Sequence, residues 1–190
     1  VGNADSGVFL ENGASANSIG DTLAGAGNVI SGNTGFGVGI DGSNNNQILG
    51  NIIGLDKNGN LAIGNGVEGV SIENGSTGNT IGGTAAGSRN TISGNGVLFG
   101  DAGISIWNSA SSNSVVGNYI GTNLAGTLAR PNGGAGINVD AAIGSVSGTV
   151  IGGSAAGAGN VISGNSAEGI LIQNGATGTT IKGNYIGTNA

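Results

Sequence analysis

A repeat that occurs six times restricts the fold of this chain more than any other feature of its sequence. A short segment that opens with glycine and continues with alternating apolar residues recurs every 30 to 34 residues. The copies are GVFLEN from Gly7, GVGIDG from Gly37, GVSIEN from Gly69, GISIWN from Gly103, GINVDA from Gly136 and GILIQN from Gly169. Apolar residues at every second position are typical of β-strands, so each unit is predicted to begin with a strand.

Two further short apolar runs follow in every unit, such as TIGG from Thr80 and NTISGN from Asn90. Three strands of this size cannot bury an apolar face alone, so like residues of successive units must stack on one another. The apolar columns that result are Val8, Val38, Val70, Ile104, Ile137 and Ile170; Leu10, Ile40, Ile72, Ile106, Val139 and Ile172; and Ile30, Ile53, Ile92, Ile120, Ile162 and Ile186.

This stacking predicts an all-β fold, a single-stranded parallel β-helix or solenoid of about six coils with three short strands in each. We expect Ile92 and Ile120 to be fully buried in the third column. Residues 1–190 are interpreted as one domain, an uncapped fragment of a longer repeat array. Neither terminus offers a polar capping element, so the fragment is expected to associate end to end.

Asparagine opens the third strand of every unit. The residues are Asn28, Asn51, Asn90, Asn118, Asn160 and Asn184. A short amide side chain at this position can bond the turn backbone and its own copy in the coils above and below. We therefore predict an asparagine ladder, which is a structural feature and not a catalytic one.

Composition excludes several classes of function. The chain contains no His and no Cys, which removes Ser-His-Asp and Cys-His catalysis and thiolate metal sites. The net charge is −6 and the four basic residues are scattered, so no nucleic-acid footprint is present. No apolar stretch approaches the ~18 residues of a membrane span.

Two types of unit alternate along the chain, and their motifs carry a family resemblance. Residues 81–95 and 151–165 share the pattern IGG[TS]AAGxxNxISGN, while residues 117–123 and 183–189 both read GNYIGTN. This pairing resembles the right-handed parallel β-helix repeats found in tandem in very large secreted or surface proteins of bacteria, within the pectate-lyase-like β-helix architecture. The resemblance implies a right-handed coil, an extracellular or cell-surface location and contact with neighbouring repeats of a parent chain. It implies no particular activity.

Acidic residues gather at the last outward position of the first strand. The column is Glu11, Asp41, Glu73, Trp107, Asp140 and Gln173. Carboxylates about 5 Å apart in neighbouring coils could bind a cation such as Ca²⁺ or a polysaccharide, with Trp107 stacking on a sugar ring. The plainer interpretation is a solvent-facing strand end that tolerates acids.

The outward positions of the other two strands suggest further surfaces. The third strand presents Val29, Ile52, Thr91, Tyr119, Val161 and Tyr185, a stripe that is either a contact surface, with Tyr119 and Tyr185 as its candidates, or is covered by a loop. The second strand presents Ser18, Gln47, Thr80, Ser114, Thr149 and Thr180, which makes ice binding a minor alternative.

The sequence thus favours a non-catalytic extracellular structural or adhesive module, with weak carbohydrate or cation binding on one face and no cofactor. The alternative is a carbohydrate-active β-helix, either a polysaccharide lyase or a glycoside hydrolase that uses the carboxylate column. A lyase needs a base near its acidic cluster, and the columns place no Lys or Arg beside Asp41 or Glu73.

Overall fold

The computed structural model describes residues 1–189 and contains only β-strands and turns. The strands are β1 (Val8–Leu10), β2 (Ser18–Ile19), β3 (Val29–Ile30), β4 (Val38–Asp41), β5 (Gln47–Ile48), β6 (Ile52–Ile53), β7 (Val70–Glu73), β8 (Thr80–Gly82), β9 (Thr91–Ile92), β10 (Ile104–Trp107), β11 (Ser114–Val116), β12 (Tyr119–Ile120), β13 (Ile137–Asp140), β14 (Val150–Gly152), β15 (Val161–Ile162), β16 (Ile170–Gln173), β17 (Thr180–Lys182) and β18 (Tyr185–Ile186).

Every third strand belongs to the same sheet. The first sheet has the order β1-β4-β7-β10-β13-β16, the second β2-β5-β8-β11-β14-β17 and the third β3-β6-β9-β12-β15-β18. All pairings among these strands are parallel, so the chain passes through the three sheets in turn and returns one strand further along. The predicted all-β parallel solenoid is therefore confirmed, with about five turns.

The core is a narrow column of Ile and Val enclosed by the three sheets. Strand register stacks Ile40 on Ile72 and Ile92 on Ile120, as the repeat predicts. The side chains of Ile92 and Ile120 are both 0% exposed, which confirms their predicted burial. Because each strand is short, its apolar face is buried only through contact with the coils on either side.

One register prediction is wrong. Ser114 in β11 pairs with Val150, not with Thr149, and Thr149 is buried one residue before the strand. The register is fixed by Ile151, which pairs with Val115 and is 0% exposed, because a slip of one residue would turn it outward. Val150 therefore occupies the place predicted for Thr149 in the outward polar column of the second strand.

The predicted asparagine ladder is confirmed. In each coil the backbone N–H and the side-chain Nδ2 of the asparagine both donate to Oδ1 of the asparagine in the following coil. For Asn90 and Asn118 these distances are 3.2 and 2.8 Å. A second bond from Nδ2 of Asn118 reaches the carbonyl oxygen of Ile81 at 2.8 Å in the preceding coil, so one side chain ties three coils together.

Two further ladders were not predicted. One follows the third strand and contains Asn3, Asn33, Asn65, Asn95, Asn132 and Asn165. The other precedes the second strand and contains Asn17, Asn46, Asn79 and Asn113. Thr149 and Thr179 occupy the equivalent positions in the last two coils, but both of their hydroxyls are buried without a hydrogen-bond partner, so this ladder ends at Asn113. Stacked amide side chains thus join the first four coils at all three corners and the fourth coil to the fifth at two of them.

Candidate functional site

The carboxylate column lies on the outer side of the first sheet, at the carboxyl ends of its strands. Asp41 is in register with Glu73, Trp107 with Asp140, and Asp140 with Gln173. We call this surface the acidic face and define it by these five residues. Glu11, the sixth predicted member of the column, follows β1 and is exposed.

Two of the predicted ligand-binding carboxylates accept hydrogen bonds from residues of the turns. Asp41 accepts a hydrogen bond of 2.6 Å from Nδ2 of Asn74 in the next coil. Asp140 accepts 2.7 Å bonds from Nδ2 of Asn174 and from the backbone N–H of Ala142. These bonds support the interpretation of both residues as parts of the coil-to-coil packing.

Glu73 and Trp107 form the more enclosed centre of the acidic face. Glu73 is only 8% exposed, and its burial, followed by the negative charge of Asp41, raises the pKa of its carboxyl group. The indole N–H of Trp107 donates to Oγ of Ser71 at 3.1 Å, which holds the half-buried ring against β7. The face therefore combines a fixed aromatic ring with a carboxyl group that protonates more readily than usual.

A pair of acidic residues that the sequence did not predict lies beside this centre. Glu68 and Asp101 line a groove of about 210 Å³ together with Asn138 and Gln173. Oε2 of Glu68 and Oδ2 of Asp101 are both buried and have no hydrogen-bond partner among residues 1–189. Burial, the charge of Asp101 and the charge of Glu73, in that order, raise the pKa of Glu68 to about 7. Burial also raises the pKa of Asp101.

Comparison of the repeat units did not reveal Glu68 and Asp101 because the two residues do not occupy equivalent positions in the units. Ala102 occupies the position of Glu68 in the following coil, and Asp101 ends an insertion between Asn95 and Gly103 that the other units lack. The insertion exposes the apolar side chains of Val97, Leu98 and Phe99. Its extra length was the signal in the sequence that could have located the groove.

The stripe on the third sheet is partly covered, as one of the two predictions required. Thr91 and Val161 are buried, whereas Val29 and Tyr185 remain exposed. A cleft of about 450 Å³ lies between Tyr119, Tyr185 and the loop of residues 153–157. The guanidinium carbon of Arg89 lies 4.1 Å from the centroid of the Tyr119 ring, a cation–π contact that sequence reasoning missed.

Three of the four basic side chains lie away from the acidic face. Arg89 donates from Nε to the carbonyl oxygen of Gly117 at 3.2 Å, on the side of the third sheet. Arg130 donates to the carbonyl oxygens of Asn60 and Ala129, within the insertions that follow the third strand. Lys182 belongs to the second sheet. The acidic face can thus donate and accept hydrogen bonds and exchange protons, but it has no cationic partner in these contacts.

Within residues 1–189, no helix is long and apolar enough to cross a membrane. In the same part of the chain, no group of three or more acidic, His or Cys side chains is arranged to hold a metal ion. Ca²⁺ binding by the acidic face therefore stays a prediction from the sequence.

Three parallel sheets built from one continuous coil define the chain as a parallel β-solenoid repeat protein. In comparisons with known proteins, no family model, no curated protein and no solved structure matches it. Its class is therefore defined by its architecture.

Proposed function

We propose that this chain is a non-catalytic structural and adhesive module, a stiff segment of a repeat array that displays binding faces outside the cell. The observation that carries the proposal is the set of three asparagine ladders, two of which run along the stack of coils while the third joins the first four coils. Buried amide stacks and a continuous isoleucine column both serve to join one coil to the next. A rod built in this way suits a spacer that must remain rigid.

The proposal includes a right-handed coil and a secreted or surface location in a bacterium. It is supported by the resemblance of residues 81–95 and 117–123 to tandem repeats of pectate-lyase-like β-helix architecture. In such an array the partners of the terminal coils would be neighbouring repeats of the parent chain, which makes each unit a replaceable segment of a longer rod.

The ligand we propose for the acidic face is a polysaccharide, bound weakly. Trp107 supplies an aromatic surface, and Asn138 and Gln173, which line the neighbouring groove, supply hydrogen-bonding amide groups. Glu68, with its pKa near 7, adds a carboxyl group that can donate a hydrogen bond to a sugar hydroxyl at slightly acid pH.

Trp107 is the single tryptophan of the chain, so its fluorescence reports directly on this face. We expect neutral and acidic polysaccharides to change the emission saturably, and Asn138→Ala to weaken the titration. Leu98→Ala, in the neighbouring exposed loop, is the matched control for a change outside the acidic face. A glycan array that retains no sugar, together with an unchanged emission, would contradict this part of the proposal. A parallel Ca²⁺ titration tests cation binding by Asp41 and Glu73.

One observation favours a second candidate function, that of a carbohydrate-active β-helix. Glycoside hydrolysis uses an acid with a raised pKa beside a second carboxylate, and Glu68 lies beside Asp101 with a pKa of about 7. We expect no turnover of polyuronates or β-glucans above background. Turnover that is lost both in Glu68→Gln and in Asp101→Asn would establish the enzyme and overturn the non-catalytic proposal. Turnover that is lost only in the double variant Asp41→Asn, Glu73→Gln would also overturn it and would assign the activity to the carboxylate column.

A further inference from the structure

Arg89 occupies a position that the equivalent loops fill with glycine. The loops between the second and third strands of the first, third and fifth coils cover residues 21–27, 83–89 and 153–159, and Gly27 and Gly159 align with Arg89. A Cβ on Gly27 would lie 1.8 Å from the carbonyl oxygen of Gly50, and one on Gly159 would lie 2.0 Å from that of Gly183. Two of the three loops thus close without a side chain here, so the stacking of the coils does not require Arg89.

The side chain of Arg89 is held in place at two points. Its Nε donates to the carbonyl oxygen of Gly117 at 3.2 Å, and its guanidinium carbon lies 4.1 Å from the centroid of the Tyr119 ring. Nε is the only guanidinium nitrogen of Arg89 that donates a hydrogen bond within residues 1–189. The two terminal nitrogens therefore remain available to pair with an oxyanion, in a side chain whose position is already fixed.

Two clefts meet at Arg89. The larger, of about 450 Å³, is lined by Arg89, Tyr119, Val161 and the loop of residues 153–157, and the smaller, of about 350 Å³, by Arg89 and the loop of residues 83–87. Among residues 1–189, none of those that line either cleft is acidic. In a chain with a net charge of −6, the two clefts therefore share an arginine that has no carboxylate beside it.

The loop wall of the larger cleft supplies further hydrogen-bond donors. The N–H of Ala158 closes a turn by donating to the carbonyl oxygen of Ala155 at 3.1 Å. The N–H groups of Ala155, Ala156 and Gly157 donate to no backbone acceptor within residues 1–189. No side chain of residues 153–157 is larger than that of Ser154, so a ligand can approach this backbone closely.

We propose that the larger cleft binds a tetrahedral oxyanion, the phosphate or sulfate group of a substituted sugar. The guanidinium of Arg89 pairs with two of its oxygens, as arginine does with such groups in general. The N–H groups of the loop and the hydroxyl of Ser154 donate to the remaining oxygens. A carboxylate has only two oxygens and would leave these donors unused.

The size of the cleft favours a sugar ester over a bare ion. Small-molecule sites measure about 300 to 1,000 Å³. The volume of about 450 Å³ falls within this range and leaves room for a sugar ring beside Tyr119 and Val161. These elements belong to the third, fourth and fifth coils, each of which has a coil on both sides. The site is separate from the acidic face on the first sheet, so the proposal is independent of ligand binding there.

Isothermal titration calorimetry tests the ligand class. We expect a phosphate ester and a sulfate ester of glucose to bind saturably, inorganic phosphate to bind more weakly, and glucose itself to give no binding. Because the contact is one between charges at a largely exposed site, the affinity for both esters should fall as salt is added. A hexuronate, which carries a carboxylate on the same ring, should bind more weakly than either ester.

Substitutions of Arg89 test the residue. Arg89→Gly introduces the residue of the equivalent loops, so the chain should keep its β-structure by circular dichroism while its affinity for the phosphate ester falls at least about tenfold. Arg89→Lys keeps the charge but loses the planar pair of donors, so it should weaken binding by a smaller factor. Arg130→Gln is the matched control, since it removes the same charge from a side chain that lines neither cleft, and it should bind as the wild type does.

The outcomes separate the alternatives. Wild-type affinity in Arg89→Gly, or in Arg89→Lys if the glycine variant loses its β-structure, would overturn the assignment to Arg89. Inorganic phosphate that binds as tightly as the sugar ester would overturn the saccharide part of the proposal, and a hexuronate that does so would overturn the tetrahedral oxyanion. No binding of any of these anions at millimolar concentration and low salt would overturn the site itself. Trp107 emission should be unaffected by Arg89→Gly, which keeps this test distinct from that of the acidic face.

Discussion

The pH dependence of folding should depend on Glu68. The pKa of its carboxyl group is about 7 in the folded chain, against 4.5 for an ordinary glutamate. Since the folded state holds this proton more tightly than the unfolded state, the contribution to stability is fully present below pH 4.5. It is lost as the pH rises through about 7, where the folded chain must ionise a buried group next to Asp101 and Glu73.

The size of the effect follows from the difference between the two pKa values. A difference of 1 between the folded and the unfolded pKa corresponds to about 1.4 kcal/mol in the free energy of unfolding. Glu68 alone therefore changes this free energy by at most about 3 kcal/mol across this pH range. Glu73 and Asp101, whose pKa values are also raised, change it in the same direction. The chain is therefore expected to be more stable in mild acid than at neutral pH.

Urea unfolding measured by Trp107 fluorescence at pH 4.5 and at about pH 8 tests this expectation. Glu68→Gln keeps the shape of the side chain and removes its titration, so the difference in stability between the two pH values should shrink by up to about 3 kcal/mol. Glu168→Gln is the matched control, because Glu168 occupies the same position in the sixth unit and is exposed. If Glu68→Gln left the pH dependence as large as in the wild type, the assignment to Glu68 would be refuted.

Three substitutions test the core and the ladders. Ile120→Asp should unfold the chain, at a cost above about 4 kcal/mol, because the charge would be fully buried without a partner; circular dichroism measures the loss of β-structure. Asn118→Ala should destabilise by about 2 to 4 kcal/mol, since the buried N–H of Asn90 loses its acceptor, and retention of wild-type stability in urea would contradict the role of the ladder. Thr149→Asn should stabilise by about 1 kcal/mol by giving the N–H of Asn113 an acceptor, seen as a higher melting temperature; a lower one would show that the site cannot hold the amide.

The sequence determined the architecture because, in a stacked repeat, each kind of contact between coils occurs several times. Ile92 and Ile120 were predicted to be buried from their place in a column, and a column is recognisable because every coil contributes a similar residue. The same reasoning predicted the ladder through Asn90 and Asn118. In a solenoid, contacts distant in the chain occur at a fixed period, so a comparison of the chain with itself reveals them.

The exact strand register and the contacts that do not follow the repeat became evident only in the folded coil. Asn65 and Asn132 lie beyond insertions of unequal length, which hid their alignment with Asn95 until the strands were stacked. Thr149 differs from the predicted register by one residue because burying Ile151 outweighs keeping a hydroxyl at the surface.

The acidic groove is the clearest example of a contact that the sequence alone did not predict. Glu68 and Asp101 come from different coils and occupy non-equivalent positions, so no repeat pattern records that they face each other. Burial raises the pKa of both carboxyl groups, and the charges of Asp101 and Glu73 raise that of Glu68 further. Burial and charge proximity are properties of the assembled surface and not of either residue alone. The periodic part of the sequence determined how the coils stack. Glu68 and Asp101 lie outside the period, and their pKa values are raised only because the tertiary structure buries them in one groove.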